Sequence, residues 1–138
     1  MTNGIEPASG WVRKFRGRML GVTAAFWLAC FVGTHIPASR LVPLGVKDKT
    51  LHLSGYAAMA AMLAATMWAY GWPRRKRLLG AATMIPAYAA LDEITQPLVN
   101  RCADVADWTA DMIGAAAAVT AFETLILFVN RRQNAGSP

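Results

Sequence analysis

Two adjacent acidic residues, Asp92 and Glu93, interrupt an apolar stretch over residues 87–97 that predicts a membrane-spanning helix. A charged side chain near the bilayer centre costs at least about 2.5–3.5 kcal/mol, so such residues are rare and indicate a functional site. Gln96 follows on the same helical face as Asp92, and Arg101 follows shortly after. Two carboxylates crowded together in a low dielectric cannot both stay ionised easily, so the pair is suited to hold and release a proton near neutral pH.

Two other apolar runs carry polar residues at helical spacing. Asp48, His52 and Tyr56 are four residues apart and share one helical face. An aspartate one turn before a histidine favours a carboxylate-oriented general base or a metal ligand; the alternative is a helix-end histidine among the lipid headgroups. The last apolar run begins with a series at intervals of three and four residues, again one face of a helix: Asp104, Asp107, Asp111 and Gly114.

The composition is typical of a membrane protein. Of the 138 residues, 55% are hydrophobic and only 16% are charged, less than a soluble domain of this size carries. The net charge of +6 does not indicate a nucleic-acid partner, because the basic residues lie in clusters between apolar runs. The lipid bilayer is the expected partner. Cys30 and Cys102 fit no metal-ligand spacing, and a disulfide is not favoured because it would require both near one membrane face.

Four apolar runs predict an all-α fold, a polytopic bundle of four transmembrane helices. Each is about as long as a bilayer core requires, and they cover residues 19–36, 51–72, 78–99 and 108–130. Pro86 within the third run predicts a bend before the acidic pair. Gly114 and the four alanines after it offer small residues that let membrane helices approach closely.

The positive charges predict the orientation of these helices. Ten basic residues lie in the N-terminal segment, in the basic turn 74–77 and at Arg131-Arg132, whereas four lie in the other connections. The positive-inside rule therefore predicts a multi-pass protein of the bacterial cytoplasmic (inner) membrane with both termini in the cytoplasm. The predicted organisation is a basic cytoplasmic tail (1–18), a single four-helix transmembrane domain (19–130) and a second cytoplasmic tail (131–138).

This topology brings the polar stripes of the second, third and fourth helices to the outer side of the membrane. Six of the eight acidic residues fall there. At about 1.5 Å per residue, Asp92 lies roughly 20 Å above the cytoplasmic end of its helix. Polar side chains at that depth must face one another or water rather than lipid. The sequence therefore predicts a polar, acid-rich cavity open toward the outer leaflet.

These residues, in this order, resemble the VanZ-like membrane proteins. The resemblance is carried by Thr34-His-Ile-Pro, Asp48-Lys49-x-x-His52-x-x-x-Tyr56, Tyr88-x-x-x-Asp92-Glu93-x-x-Gln96 and Arg101-x-x-Asp104-x-x-Asp107-x-x-x-Asp111-x-x-Gly114. Two positions depart from the family: Asn100 stands where Gly is usual, and Asp111 stands where many members have Asn. The resemblance implies a cell-envelope protein of a family named after a factor linked to resistance to the glycopeptide antibiotic teicoplanin.

Roles follow from residue type. We expect the catalytic, proton-transferring residues to be His52, Asp92, Glu93 and Asp107. We expect the binding residues to be Asp48, Lys49, Tyr56, Gln96, Arg101, Asp104 and Asp111. No metal ligands are assigned and the cofactor is unknown, because a single well-placed histidine suits zinc poorly and an oxygen-rich set would suit Mg²⁺ or Ca²⁺ better.

Several of these residues have a purely structural alternative. The acids could form an ion-pair network that locks helix packing, although six acids against four bases and one histidine leave surplus negative charge. Asp107 and Asp111 suit the positive end of the fourth helix dipole. Arg101 would bind phosphate through two hydrogen bonds, or else snorkel to the interface. His35 is expected at the interface. Glu123, deep in the fourth helix, is expected either to snorkel inward or to pair across the bundle.

Three functions are compatible with this pattern. The first is a membrane hydrolase or transferase acting on a lipid-linked or phosphate-bearing envelope precursor, held by Arg101 and Lys49. The second is a non-catalytic binding or scaffold protein that uses the same pocket. The third is a small proton-coupled transporter, for which Glu123 is the one candidate to continue a proton path.

Overall fold

The computed structural model describes residues 10–37 and 48–135, and over these ranges the secondary structure is all-helical. The helices are α1 (Gly10–Thr34), α2 (Asp48–Ala69), α3 (Arg74–Thr95) and α4 (Val105–Ala135), and a 3-10 turn, Gln96–Val99, follows α3. The four predicted helices are therefore present. The termini 1–9 and 136–138 and the connection 38–47, which holds Arg40 and Lys47 of the charge count, lie outside the described residues, as does the side chain of Asp48.

Helix α1 begins at Gly10 rather than at Met19, where its apolar run starts. The reason is tertiary, because Val12 is buried against Ala69 at the end of α2. Basic side chains also have good helix propensity, so nothing in the basic segment stops the helix. Helices α1 and α4 therefore extend the helical part of the chain into both of the predicted tails.

A glycine-centred turn joins α2 to α3. Gly71 has a φ of +77°, a conformation that L side chains rarely adopt. Its N–H donates to the Trp68 carbonyl at 2.8 Å, and the Trp72 N–H donates to the Met67 carbonyl at 3.0 Å, the two bonds of a Schellman motif. Pro73 follows and precedes the first residue of α3. The basic cluster predicted as a turn therefore forms the first turn of a helix.

Helix α3 continues through Pro86 and ends in the 3-10 turn. Asn100 closes this turn with φ 59° and ψ 37°, and its N–H donates to the Pro97 carbonyl at 3.2 Å. The left-handed region costs most L residues about 1–2 kcal/mol, and asparagine is among the few that enter it routinely. The backbone at this position therefore suits asparagine, as it would glycine.

The most extensive helix contact joins α2 to α4. A methyl group at Gly114 would collide with the Leu53 backbone carbonyl oxygen, so the two backbones touch at this point. The close approach predicted from the small residues of the fourth helix is confirmed here. The apolar core below it comes mainly from α2 and α3 and consists of Tyr56, Met59, Ala60, Leu63, Met67, Ala81, Ile85, Ala89 and Ala115.

Several charged side chains are buried beside the apolar core, and many large apolar side chains are exposed. Three of the most deeply buried side chains are charged, namely Arg77, Asp92 and Asp111. Large apolar side chains on the helices are instead exposed, among them Val22, Leu28, Ile94 and Ile113. Exposed apolar side chains in this number favour contact with a membrane or a partner.

Two of the helices are long and apolar enough to cross a membrane by length and composition. They are Lys14–Thr34, within α1, and Val105–Ala135, which is α4. Together with the exposed apolar surface, they support assignment to the membrane class.

Candidate functional site

The polar stripes of α2 and α4 meet in a buried histidine–aspartate pair. His52 Nδ1 lies 3.0 Å from Asp111 Oδ1, and the two residues are 5% and 0% exposed. Asp111 lies one turn before Gly114 and His52 is adjacent to Leu53, so the backbone contact between these helices brings the pair together. The structure thus supplies Asp111 as a carboxylate that orients the imidazole; the predicted contact of Asp48 with His52 lies outside the described residues.

Asp92 is buried where α3 meets the end of α1. Its Oδ1 accepts a 2.6 Å hydrogen bond from the Thr34 hydroxyl, and His35 Nδ1 lies 3.6 Å from the same oxygen. His35 Nδ1 also lies 2.8 Å from the Phe31 carbonyl, which can only accept, so this nitrogen is assigned the ring proton. The other ring nitrogen contacts the Thr95 hydroxyl at 2.8 Å. The end of α1 therefore binds Asp92, one of the two adjacent acids Asp92 and Glu93.

The sequence did not predict that Thr34 and His35 contact Asp92; it predicted His35 only as an interfacial residue. A usable signal was present, because both residues end the first apolar run on the same side of the membrane as Asp92 under the positive-inside rule. Equal depth would have been a reason to test them as partners. Periodicity within one helix could not show this, since it carries no information about which neighbouring helix a face meets.

Glu93 and Asp104 connect α3 to the start of α4. The Asp104 N–H donates to Glu93 Oε2 at 2.8 Å, and the Ala106 N–H donates to Asp104 Oδ1 at 2.8 Å. Lys49 Nζ lies 3.0 Å from Asp104 Oδ2 and 3.4 Å from Asp107 Oδ1. The hydrogen bond from Ala106, followed by the Lys49 ammonium, lowers the pKa of Asp104 below its ordinary value. Asp104 therefore acts as the N-cap of α4 and keeps its charge at neutral pH.

The predicted site residues fall into an inner and an outer group. Lys49 and Asp104 form the outer group, an ion pair at the rim with side chains 55% and 49% exposed. Arg101 is partly buried. Asp107 lies in the first turn of α4, where its charge suits the helix dipole, whereas Asp104 caps the helix and Asp111 faces His52. The inner group is buried and consists of His52, Tyr56, Asp92, Glu93, Gln96, Asp107 and Asp111.

Five buried polar atoms of the inner group have no hydrogen-bond partner within residues 10–37 and 48–135. Buried polar groups are nearly always satisfied, and an unsatisfied one costs about 1–3 kcal/mol. A concentration of such atoms at one end of a bundle indicates a place for water, an ion or a ligand. The atoms are Tyr56 Oη, Asp92 Oδ2, Glu93 Oε1, Gln96 Nε2 and Asp111 Oδ2.

A cavity of about 340 Å³ lies between α1 and α2 beside the inner group. Its walls are mainly apolar and include Cys30, Ile36, Leu51 and Met59. Its polar lining is provided by Thr34, His52, Tyr56 and Arg101. The inner group lies where α2, α3 and α4 meet. One wall of the open cavity is formed by α1, a helix that the sequence did not include in the predicted site. A mostly apolar cavity with a few polar groups at one side is typical of a ligand site.

Comparison of the chain with known protein families, with curated proteins and with solved structures gives no match. The resemblance to VanZ-like proteins stays a prediction carried by the quoted motifs. The geometry of the site is therefore the main basis for a functional proposal.

A second buried charge cluster joins the first turn of α3 to α4. Arg77 Nε and Nη2 donate to the two carboxylate oxygens of Glu123 at 2.8 and 2.7 Å, and its Nη1 donates to the Trp72 carbonyl at 2.7 Å. Arg74 Nε lies 3.6 Å from Glu123 Oε2. Of the two expectations for Glu123, pairing across the bundle is confirmed, and its partner is Arg77, which the sequence analysis counted only among the charges that predict the topology.

Proposed function

We propose that this chain is an integral membrane protein of the VanZ-like kind with four membrane-spanning helices. Helices α1 and α4 meet the length and hydropathy requirements by themselves. The surface of α3 supports a further span, because Leu79, Leu91 and Ile94 are 56%, 53% and 73% exposed while its two acids are buried. Apolar side chains outside and charged ones inside are the arrangement that hydrocarbon surroundings require.

The proposed orientation places both termini in the cytoplasm of the bacterial inner membrane and the inner group near the outer surface. Cys102, in the connection between α3 and α4, is free and exposed, and Cys30 is free and partly buried. In a Cys30→Ser background, a membrane-impermeant maleimide is expected to label Cys102 in intact cells. Gel-shift detection of the label measures this.

The matched control for orientation is Lys76→Cys in a background with both native cysteines replaced by Ser. Lys76 is exposed in the basic first turn of α3, so the introduced thiol should react only after the cells are permeabilised. Labelling of Cys102 only in permeabilised cells, with Lys76→Cys accessible from outside, would reverse the proposed topology.

The proposed ligand is an amphiphilic anion, a lipid-linked or phosphate-bearing component of the cell envelope. The observation that carries this proposal is the joint lining of one cavity by apolar side chains of α1 and α2 and by the Arg101 cation. An apolar chain would occupy the walls, and the guanidinium would bind a phosphate through paired hydrogen bonds. The link to glycopeptide resistance belongs to this proposal and is supported by the motif resemblance alone.

The same geometry suits a hydrolase or transferase. His52 lines the cavity, and Glu93 and Asp92 lie in the adjoining inner group with one buried oxygen each that has no partner among the described residues. Groups of these types donate and accept protons in reactions that need no redox cofactor. In the proposed role, Arg101 positions the anionic group and the inner group performs the proton transfers.

Binding can be tested with a prenyl phosphate and the matching prenyl alcohol by native mass spectrometry of the detergent-purified chain. Charge-assisted hydrogen bonds contribute about 1.5–3 kcal/mol, so the phosphate is expected to bind at least about tenfold more tightly than the alcohol. Arg101→Ala should remove this difference. Arg75→Ala, which removes an exposed cation of α3, is the matched control and should keep it. Equal retention of both probes, or an unchanged preference in Arg101→Ala, would refute the proposal.

A scaffold protein would give the same binding result, so the Glu93→Gln variant is needed to distinguish a scaffold from an enzyme. If the protein is a scaffold, the variant keeps its function in cells. If it is an enzyme, the variant loses that function but still binds the prenyl phosphate. A proton-coupled transporter is disfavoured by one observation, namely that both Glu123 oxygens accept hydrogen bonds from Arg77. A carboxylate held in this way stabilises the bundle rather than carrying protons across it.

A further inference from the structure

We infer that His52, Glu93 and Asp111 form a binding site for one divalent transition-metal ion, Zn²⁺ or Mn²⁺. The three residues come from three different helices, α2, α3 and α4, and all are buried. One potential ligand atom from each lies within 4.8 Å of the other two. Ligands on an ion with bonds of about 2.0–2.1 Å lie roughly 3–4 Å from one another, so small side-chain rotations suffice to close the set.

The buried oxygen atoms of this trio are a second observation in favour of a bound ion, separate from the short distances between the three residues. Glu93 and Asp111 are 7% and 0% exposed, and each has an oxygen without a hydrogen-bond partner in the described part of the chain. The Tyr56 hydroxyl, one turn from His52 on α2, is likewise buried and without a partner among those residues. Carboxylate oxygens left in this state are suited to metal coordination, which satisfies them without a donor proton.

An existing hydrogen bond orients one of the ligands. The Asp104 N–H holds one oxygen of Glu93 at 2.8 Å, and the other oxygen has no partner among the described residues. A hydrogen bond of this kind, from a group outside the set, commonly fixes a ligand of a metal centre. Asp111 Oδ1 lies 3.0 Å from His52 Nδ1, so an ion bound by both residues would take the place of the proton between these two atoms.

The chemistry of the set selects the class of ion. One imidazole with two carboxylates suits Zn²⁺ or Mn²⁺ better than Mg²⁺ or Ca²⁺, which prefer oxygen ligands alone. Three protein ligands leave a coordination position for water or substrate, as in catalytic zinc sites. The two carboxylates and a neutral imidazole carry a charge that a divalent ion balances. Further charged groups lie close to the trio: Asp92, Asp107 and the Lys49 ammonium on the helices, and Asp104 and Arg101 in the connection before α4.

The assignment is tested by measuring the metal content of the full chain, purified in detergent without chelators, by inductively coupled plasma mass spectrometry. About one Zn²⁺ or Mn²⁺ per chain is expected for the wild type, with a loss of at least about tenfold in Glu93→Gln and in Asp111→Asn. Asp104→Asn is the matched control: it changes an acid at the rim to a residue that also caps helices, and it should keep the metal.

A measurement on the wild type alone avoids dependence on the folding of variants. After removal of metal with EDTA, adding Zn²⁺ or Mn²⁺ should raise the thermal unfolding midpoint, and adding Ca²⁺ should not. A folded wild type that contains no transition metal and shows no shift would overturn the assignment, as would equal metal content in Asp111→Asn. The outcome can be distinguished from that of the prenyl phosphate experiment, because the ion site does not require Arg101 or the apolar walls of the cavity and shares only His52 with the cavity lining.

Discussion

Replacing Glu123 with alanine is expected to destabilise the protein by about 3–5 kcal/mol, because it leaves a buried arginine without its counter-ion. The Arg77 side chain is 1% exposed and that of Glu123 is 4% exposed, so water cannot take over the lost hydrogen bonds. Two parallel N–H···O bonds at 2.8 and 2.7 Å disappear together. Unfolding in detergent, followed by circular dichroism, measures the loss.

Arg74→Ala is the matched control for this prediction. Arg74 approaches the same carboxylate at 3.6 Å, but its side chain is 50% exposed, so its removal should cost no more than about 1 kcal/mol. The double variant Arg77→Met, Glu123→Leu removes both charges and should be markedly more stable than Glu123→Ala. If Glu123→Ala unfolds at the same denaturant concentration as the wild type, the pair is not buried as described.

Gly114→Ala is expected to destabilise the protein by more than the roughly 1–3 kcal/mol typical of overpacked sites. The added methyl group meets the carbonyl oxygen of Leu53, which belongs to a helix backbone and cannot rotate away as a side chain would. The two helices must therefore separate, and His52 and Asp111 lie on the faces that would move apart. Thermal unfolding of the variant in detergent gives the size of the effect.

The control is Gly21→Ala in α1, where an added methyl group meets nothing within 4 Å. Alanine is favoured over glycine in a helix by about 0.5–1 kcal/mol, so this change should be neutral or slightly stabilising. Opposite signs for the two substitutions identify steric contact rather than helix propensity as the cause. A stable Gly114→Ala protein would show that α2 and α4 are farther apart than the structure places them.

Local features of the fold were accessible from the sequence because they depend on residues only a few positions apart. The apolar runs place four helices. The turn predicted at 74–77 lies a few residues earlier, at Gly71-Trp72-Pro73, where the backbone chemistry of these three residues ends one helix before the next begins. The small residues around Gly114 indicate a close helix contact before any partner is known. Exact ends are less accessible, as the start of α1 at Gly10 shows, because they depend on packing against another helix.

The candidate site likewise combines features that the sequence predicts with contacts that only helix packing determines. Residue type and helical spacing single out Asp92, Glu93 and His52, because a charged side chain in an apolar run is energetically costly whichever neighbour the helix packs against. Spacing could not say that His52 faces Asp111, that Asp92 bonds Thr34, or that α1 forms a wall of the cavity. These contacts depend on the rotation of each helix about its axis, which its neighbours set.

The sequence by itself thus determined the helical architecture and the kinds of residue that could do chemistry, and it predicted the membrane character that two long apolar helices support. Only the tertiary structure decided which side chains meet: His52 with Asp111, Glu93 with the start of α4, and Arg77 with Glu123. The physical reason is that hydrophobic periodicity and turn chemistry act over one or two helical turns. Partners separated by 46 or 59 positions are chosen by packing of whole helices.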